Sequence, residues 1–211
     1  MDKKGVVNGR FQVLHLKHME YILAAKMRCE KLYIGITNPD MLHAKSSVND
    51  RNRGTKAGNP LSYRERCEML RGALAEFGVP ESQYEIIPFP ISYPEYITQY
   101  APEDAVYYVG MYDAWDEEKY KSLKDLGLNV HILWKKDLEN KGTTGAMVRH
   151  LIATDEEWAQ YVPKSVYAYM KEQELDKRVK RLELMRIEEK MVIETNVEKT
   201  TPDVEIKLER I

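Results

Sequence analysis

Hydrophobic residues recur along this chain in two alternating patterns, one typical of buried strands and the other of amphipathic helices. Five short apolar runs rich in β-branched and aromatic residues predict strands at 4–8, 31–37, 84–89, 105–110 and 129–134. Apolar positions at helical spacing predict helices between them, near 16–29, 61–78, 93–100 and 116–126. Strands that are apolar on both faces and separated by helices form parallel sheets. The pattern therefore predicts an α/β domain with a parallel five-stranded sheet and helices on both of its faces.

The pattern changes in the last part of the chain, where charged residues become frequent. Apolar residues at helical intervals predict one long helix over 164–189, and alternation over 191–197 and 204–211 predicts a hairpin. This change of pattern predicts a sheet domain at 1–170 and a helical and β extension at 171–211. So small a hairpin needs a surface to pack on, and we expect the extension to dock on the domain or on a second copy of the chain. Exposed strand edges favour pairing of the extension with a second copy of the chain, hence a homo-oligomer. The alternative is an extension that folds back on its own domain.

Composition and charge narrow the class of protein. The chain of 211 residues is 43% hydrophobic and has a net charge of −2 at pH 7, so no nucleic acid or anionic membrane is expected as a partner. Cys29 and Cys67 lack the spacing of a metal or disulfide site, and we expect free thiols. No apolar run approaches the ~20 residues of a membrane span, and the first residues lack the apolar stretch of a signal peptide. These features predict a cytoplasmic protein.

The segment that follows the first predicted strand has an unusual composition. Residues 9–18 read Gly-Arg-Phe-Gln-Val-Leu-His-Leu-Lys-His. His15 and His18, three apart at a predicted helix start, lie on one face beside the unpaired N–H groups of the first turn. A helix N-terminus carries partial positive charge, and with glycine and arginine it forms a cradle suited to a polyphosphate. Since parallel sheets bind ligands at the carboxyl ends of their strands, this position predicts nucleotide chemistry.

Residues 40–60 form a polar segment with several basic side chains, among them Lys45. One interpretation is a solvated loop. The other is a basic lid that closes over phosphates, because the segment follows the second predicted strand at the ligand-binding edge. The position favours the lid, and the composition leaves both open.

Two further segments join residues 9–18 as motifs. Residues 59–66 read Asn-Pro-Leu-Ser-Tyr-Arg-Glu-Arg, and residues 143–149 read Thr-Thr-Gly-Ala-Met-Val-Arg. In chain order, the three segments resemble the motifs G-R-F-Q-P-x-H-x-G-H, N-P-F-T-x-x-E-R and I-S-G-T-x-I-R of the nucleotidylyltransferase superfamily, and most of all those of its archaeal-type nicotinamide mononucleotide adenylyltransferases. The resemblance covers about residues 4–170 and agrees with a sheet of Rossmann-like type.

The chain departs from the family pattern in both halves of the expected site. Val13 replaces the proline of the first motif, Lys17 the glycine between its histidines, and Ala146 the threonine of the late motif. The family's aspartate and tryptophan for the nicotinamide nucleotide are absent from 89–96, which reads Phe-Pro-Ile-Ser-Tyr-Pro-Glu-Tyr. The phosphate motifs remain recognisable, so we expect the part of the site that binds the nucleotide to be kept. The part that binds the acceptor is expected to be rebuilt.

The resemblance implies transfer of a nucleoside monophosphate from a nucleoside triphosphate to a small phosphate- or phosphonate-bearing metabolite, with release of pyrophosphate. His15 and His18 would donate hydrogen bonds to phosphate oxygens, and Arg149 would hold the β- and γ-phosphates. Magnesium would be bound mainly through the triphosphate. Lys45 falls near the position of a loop lysine used by related cytidylyltransferases. The residues expected to bind the nucleotide are Asn8, Gly9, Arg10, Phe11, Gln12, Lys17, Lys45, Thr143, Thr144 and Gly145.

The alternatives differ in what this site does. Adenylyl transfer is preferred because the motifs are most similar to the adenylyl branch, and cytidylyl transfer is the alternative within the same chemistry. A non-catalytic nucleotide-binding protein with a regulatory or assembly role also fits, because Lys17 and Ala146 alter both phosphate motifs. A dinucleotide-dependent oxidoreductase is disfavoured, since the first strand is not followed by G-x-G-x-x-G. Tyr112 and Trp115 follow the fourth predicted strand, where the resemblance implies contacts with a base or acceptor; the alternative is packing in the core or the rim.

Overall fold

A parallel sheet forms the centre of the protein in the computed structural model, which describes residues 1–40, 54–136 and 142–200, with side chains as far as residue 192. Its strands within these ranges are β1 (Asp2–Gly9), β2 (Cys29–Thr37), β3 (Tyr84–Phe89), β4 (Val106–Met111) and β5 (Asn129–Lys135). The order is β3-β2-β1-β4-β5, and every neighbouring pair is parallel. The predicted Rossmann-like sheet is confirmed, with strand ends within two residues of the predicted ones.

The order of the strands reverses beside β1. The chain runs outward from β1 through β2 to β3, and then returns to place β4 on the other side of β1, followed by β5. Open α/β sheets bind ligands at such a switch point, in the crevice beyond the carboxyl ends of the strands. The fold therefore brings the segments after β1 and β4 to the position where a site is expected.

Two hydrophobic clusters cover the two faces of the sheet. Val6 and Val7 are both fully buried but belong to different clusters, because successive strand side chains point to opposite faces. The cluster around Val7 includes residues of α1 (Leu16–Lys26), α2 (Tyr63–Glu76), α4 (Gly145–Ala153), α5 (Lys164–Glu172) and α6 (Leu175–Thr200). The cluster around Val6 includes residues of α3 (Ala114–Asp125) and of the 3₁₀ segment Pro94–Gln99. Helices thus cover both faces, as predicted.

The single helix predicted over 164–189 is wrong. The chain forms α5 and α6 instead, separated by a turn at which Glu174 has a φ of 53°. The turn carries Leu175 and Val179 into the core cluster around Val7. It contains neither glycine nor proline, the residues that usually mark a turn, so the sequence pattern gave no sign of it.

The strand predicted over 191–197 is also wrong, because α6 continues through Thr200. The alternation of polar and apolar residues there is outweighed by an uninterrupted run of residues that tolerate a helix. No glycine or proline occurs between Leu175 and Pro202, so nothing stops the helix earlier. The second predicted strand, 204–211, lies outside the described residues.

The first half of α6 packs on the sheet domain. Leu175 and Val179 are buried in the core, and Arg178 pairs with Glu65 of α2. Further along α6 several large apolar side chains are exposed: Leu184, Met185, Met191 and Val192. The domain boundary near 170 and the homo-oligomer stay predictions. Among the described residues, no helix has the length and hydropathy needed to cross a bilayer.

Candidate active site

A cleft of about 410 Å³ opens at the carboxyl ends of β1, β4 and β5. The segment after β1 and the start of α4 meet in this cleft, where Arg149 contacts Gln12 although the two residues are 137 positions apart in the chain. The predicted site residues that line it are Asn8, Gly9, Arg10, Phe11, Gln12, His15, Lys17, His18, Thr143, Thr144, Gly145 and Arg149. Lys45 lies outside the described residues, and so does most of the predicted lid, so both stay predictions.

The two predicted catalytic histidines form the N-terminal cap of α1. Nδ1 of His15 accepts the backbone N–H of His18, and Nδ1 of His18 accepts the backbone N–H of His15, each at 3.4 Å. The two rings stack with their centroids 3.7 Å apart. Because each Nδ1 is an acceptor, the neutral ring carries its proton on Nε2. Each ring is therefore in the tautomer whose Nε2–H can donate a hydrogen bond to a phosphate oxygen.

Phe11 packs against this pair of histidines. Its side chain is fully buried, and its ring meets the His18 ring edge-on at a centroid distance of 5.0 Å. A Cβ on Gly9 would lie 2.7 Å from the Phe11 ring, so only glycine fits at the end of β1. Gly9 and Phe11 therefore shape the cleft through their packing.

The late motif begins α4 directly against the segment after β1. A Cβ on Gly145 would lie 2.5 Å from the Gln12 carbonyl oxygen. The hydroxyl of Thr144 accepts the backbone N–H of Met147 at 3.1 Å and caps the helix. Arg149 donates from Nη1 to the same Gln12 carbonyl. The first and last motifs are therefore joined at one carbonyl oxygen, and both α1 and α4 begin at the cleft.

Gln12, which the sequence predicts to bind nucleotide, forms two hydrogen bonds from its side-chain amide to the backbone of Leu61. Nε2 donates to the Leu61 carbonyl and Oε1 accepts the Leu61 N–H, each at 2.8 Å. These bonds fasten the segment after β1 to the residues that precede α2, where Ser62 and Glu65 form a capping box. The middle motif thus stabilises the segment after β1, which lines the cleft.

Arg66, the last residue of the middle motif, fixes the ends of two strands. Its guanidinium is fully buried and donates to the backbone carbonyls of Thr37 at 2.7 Å, Asn38 at 2.8 Å and Arg10 at 3.1 Å. Burial lowers the pKa of Arg66 to about 10, so the group still carries its charge at neutral pH. The sequence places Arg66 in the middle motif but gives no role for it, and only the fold reveals that it ties the end of β1 to the end of β2.

Comparison with known proteins decides which family carries these motifs. Residues 6–151 match the model of a family described as cytidylyltransferase-like. The chain belongs to the cytidylyltransferase-like family. It is 42% identical to a phosphonoformate cytidylyltransferase of Streptomyces viridochromogenes over 83% of its own length and 95% of that protein. It is 28% identical to a nicotinamide-nucleotide adenylyltransferase of Saccharolobus solfataricus over 85% of its own length and 96% of that protein.

A solved structure agrees with the fold of this cytidylyltransferase-like chain. A bifunctional NMN adenylyltransferase/ADP ribose pyrophosphatase from Francisella tularensis superposes on 92% of the chain with a TM-score of 0.64 and 16% identity. The chain spans only 57% of that protein, so the likeness concerns the fold alone. The predicted membership of the nucleotidylyltransferase superfamily is confirmed, and with it the predicted class of enzyme, a nucleotidyltransferase.

In the cytidylyltransferase-like cleft, Lys17 takes the place of a glycine in the first motif. Its Nζ pairs with Glu20 at 2.6 Å, and this hydrogen bond raises the pKa of the Lys17 ammonium. Its stem lies against Gly142, the residue before the late motif, since a Cβ on Gly142 would be 3.2 Å from the Lys17 Cε. Lys17 therefore adds a cation between the two phosphate motifs, in a cleft that it also helps to line.

Aromatic side chains form the part of the cleft next to β4 and β5. Tyr112 and Trp115 line it, and Trp115 also packs against the core cluster around Val6; contact with a base or acceptor stays a prediction for both. Trp134, at the end of β5, lines it as well, with its ring centroid 6.5 Å from that of Tyr112. Sequence reasoning missed Trp134 because it reads as the last apolar residue of a strand.

An ion pair on α3 completes this part of the cleft. Lys119 Nζ lies 3.0 Å from Asp116 Oδ1, and the side chains are only 10% and 12% exposed. Asp116 also accepts the backbone N–H of Tyr112 at 3.1 Å. A largely buried lysine places its charge where electrostatic attraction to an anion is strong. Sequence analysis missed the pair because an (i, i+3) pair on a helix usually lies on the surface.

Replacing Gly145 with alanine is expected to destabilise the protein by about 1–3 kcal/mol, because the added methyl displaces the Gln12 carbonyl. Denaturant unfolding followed by circular dichroism measures the loss. Gly72→Ala is the matched control, since a Cβ there would meet Ser165 Cβ at an ordinary 3.4 Å. In mid-helix it is expected to stabilise by about 0.5–1 kcal/mol. Equal effects at the two glycines would contradict the close approach of α4 to the segment after β1.

Proposed function

We propose that this protein transfers a cytidylyl group from CTP to a small phosphonate and releases pyrophosphate. The observation that carries the proposal is the meeting of the two phosphate motifs at the Gln12 carbonyl, inside one cleft with an aromatic end. The chain is 42% identical to a phosphonoformate cytidylyltransferase and 28% identical to an adenylyltransferase. This difference supports CTP as the donor, whereas the sequence motifs alone favoured ATP.

The reaction requires little proton transfer. An anionic phosphonate oxygen attacks the α-phosphorus of CTP, the bond between the α-phosphorus and the oxygen that bridges to the β-phosphate breaks, and pyrophosphate leaves with the electron pair. Since the nucleophile is already ionised, the residues accelerate the reaction by orienting the two anions and neutralising charge on the phosphates. Nε2–H of His15 and His18 would donate to the α-phosphate oxygens, and Arg149 would hold the β- and γ-phosphates.

The cleft suits a substrate with more than one negative charge. Its described cationic lining is Arg10, Lys17, Lys119 and Arg149. Its described carboxylates are Asp113 and Asp116, and both accept backbone N–H groups at the start of α3. Glu20 and Glu183, the ion-pair partners of Lys17 and Arg149, do not line the cleft, so the surface that a triphosphate and a phosphonate would meet has more cationic than anionic side chains.

Magnesium fits as an ion that the triphosphate itself carries. The described ranges contain no group of three side chains able to ligate a metal, and the cleft carboxylates are engaged on α3. Phosphate oxygens and water would therefore supply most of its ligands. The ion would neutralise charge on the β- and γ-phosphates, while the orientation of the triphosphate would depend on His15, His18 and Arg149.

The donor and the acceptor are tested together by initial rates of pyrophosphate release. CTP with phosphonoformate is expected to exceed ATP with the same acceptor by about tenfold or more. Nicotinamide mononucleotide is expected to be a poor acceptor with either triphosphate, because the matched aspartate and tryptophan are missing from 89–96. Efficient dinucleotide formation from ATP and nicotinamide mononucleotide would overturn the proposal in favour of adenylyl transfer. Pyrophosphate release with no combination, despite triphosphate binding, would favour the non-catalytic alternative.

A further inference from the structure

Helix α6 places one buried carboxylate, that of Glu183, beside Arg149, which lines the cleft. Oε2 of Glu183 lies 4.0 Å from Nε of Arg149, and each side chain is only 5% exposed. The distance is that of an ion pair rather than of a hydrogen bond. Residue 183 lies beyond the region 6–151 that matches the family model, so this contact comes from the part of the chain that the family motifs do not cover.

The Glu183 carboxylate lies between two guanidinium groups. Its Oε1 accepts from Nη2 of Arg186 at 2.6 Å and from Nε of Arg186 at 3.0 Å, while Oε2 faces Arg149. A buried carboxylate is costly unless it is paired, so these contacts keep Glu183 in a fixed position. Arg186 holds the carboxylate on its own helix, one turn away, and leaves the other oxygen directed at α4.

Arg149 is held at two points of its planar group. Nη1 donates to the Gln12 carbonyl, and Nε faces Glu183. A hydrogen bond at one edge of a guanidinium and an ion-pair contact at another restrict its plane and its rotation, which favours bidentate phosphate binding. The packing of α4 against α6 brings the second of these contacts to the site.

We propose that Glu183 is a positioning residue, which orients Arg149 for the triphosphate and makes α6 part of the nucleotide site. The proposal rests on the role given to Arg149 under the proposed function. Charge and orientation predict opposite effects at this position. Removing a negative charge near the cleft would by itself strengthen the binding of an anion, whereas loss of the orienting contact weakens it.

The test is the dissociation constant of magnesium CTP, measured by calorimetry on the full chain without an acceptor. Glu183→Gln is expected to weaken CTP binding by about tenfold, the effect of losing one contact to a charged group. Glu183→Asp keeps the charge and the pairing with Arg186 but shortens the reach to Arg149, and it is expected to weaken binding in the same direction. This second variant provides the answer if Glu183→Gln does not fold.

Two further variants separate positioning from general damage to α6. Arg178→Gln removes the ion pair between α6 and Glu65, and neither of these residues lines the cleft. It is expected to lower the melting temperature and to leave the CTP affinity within about twofold of wild type. In an Arg149→Lys background, Glu183→Gln is expected to add less than about twofold, since both act through the same guanidinium.

Three results would overturn the positioning role. These are CTP affinity unchanged or tighter in the Glu183 variants, an equal loss in Arg178→Gln, or a full additional loss in the Arg149→Lys background. Binding is read separately from turnover, so the two proposals can fail separately. A wild-type chain that binds CTP but releases no pyrophosphate with any acceptor refutes the transfer reaction and leaves the positioning result valid. A wild-type chain that binds no CTP refutes both.

Discussion

Replacing His18 with alanine is expected to lower kcat for pyrophosphate release by about 100-fold or more while the fold is kept. Loss of one positioned donor to a phosphate oxygen raises the barrier by about 3 kcal/mol, as for oxyanion donors. His18→Ala also removes one of the two hydrogen bonds of the helix cap, the one from the His15 backbone N–H to His18 Nδ1, while His15 still accepts the backbone N–H of residue 18; this costs at most about 1 kcal/mol of stability. Circular dichroism and denaturant unfolding check that the variant remains folded under the assay conditions.

His150→Ala is the matched control for this variant. His150 also lies on a helix that begins at the cleft, but it is exposed and does not line the cleft. Its removal is expected to leave kcat within about twofold of wild type, as for a surface substitution. Turnover of His18→Ala within threefold of wild type would remove the histidine pair from the mechanism.

Replacing Arg149 with alanine is expected to abolish most of the rise in melting temperature that CTP causes. A ligand at about 100 times its Kd stabilises the folded state by about 2.7 kcal/mol, which for a chain of this size is roughly 5–10 °C. Without Arg149 the β- and γ-phosphates lose the guanidinium that would hold them. The variant also leaves Glu183 paired with Arg186 alone, so the melting temperature without ligand falls as well. The informative quantity is therefore the difference with and without CTP, measured by scanning fluorimetry.

Arg71→Ala serves as the control for Arg149→Ala. Arg71 is a helical arginine whose partner is Glu68 of the same helix, and its side chain is half exposed. Its removal is expected to leave the CTP-dependent shift unchanged. A full shift in Arg149→Ala would refute the phosphate-binding role of this residue.

The fold was predictable because its pattern is local. The strands are short runs rich in apolar residues, and the helices between them repeat their apolar positions at helical spacing. The turn at Glu174 was not predictable, since a left-handed glutamate leaves no mark in the sequence. The same holds for the end of α6, where the run without glycine or proline outweighed an alternating pattern.

The candidate site was predictable as far as its motifs reach. The first and last motifs identified the segments that line the cleft, since a phosphate cradle needs particular residues at fixed spacing. The contacts that hold these segments join distant positions, such as Gln12 with Leu61, 49 residues apart, and Arg149 with Glu183. No local spacing encodes them. The motifs also do not distinguish CTP from ATP as the donor, because they concern the phosphates, which both nucleotides share.

The central claim, transfer of CMP within this cleft, is tested most directly by ³¹P NMR of the full chain incubated with CTP, phosphonoformate and magnesium. The account predicts new resonances of a cytidylyl–phosphonate conjugate and of pyrophosphate, growing in a one-to-one ratio, because attack at the α-phosphorus releases both together. The His18→Ala variant under the same conditions is expected to give neither within the time that wild type needs for completion. Formation of CDP and orthophosphate, or CTP that stays unchanged with phosphonoformate and with every other small phosphonate tried, would contradict the claim.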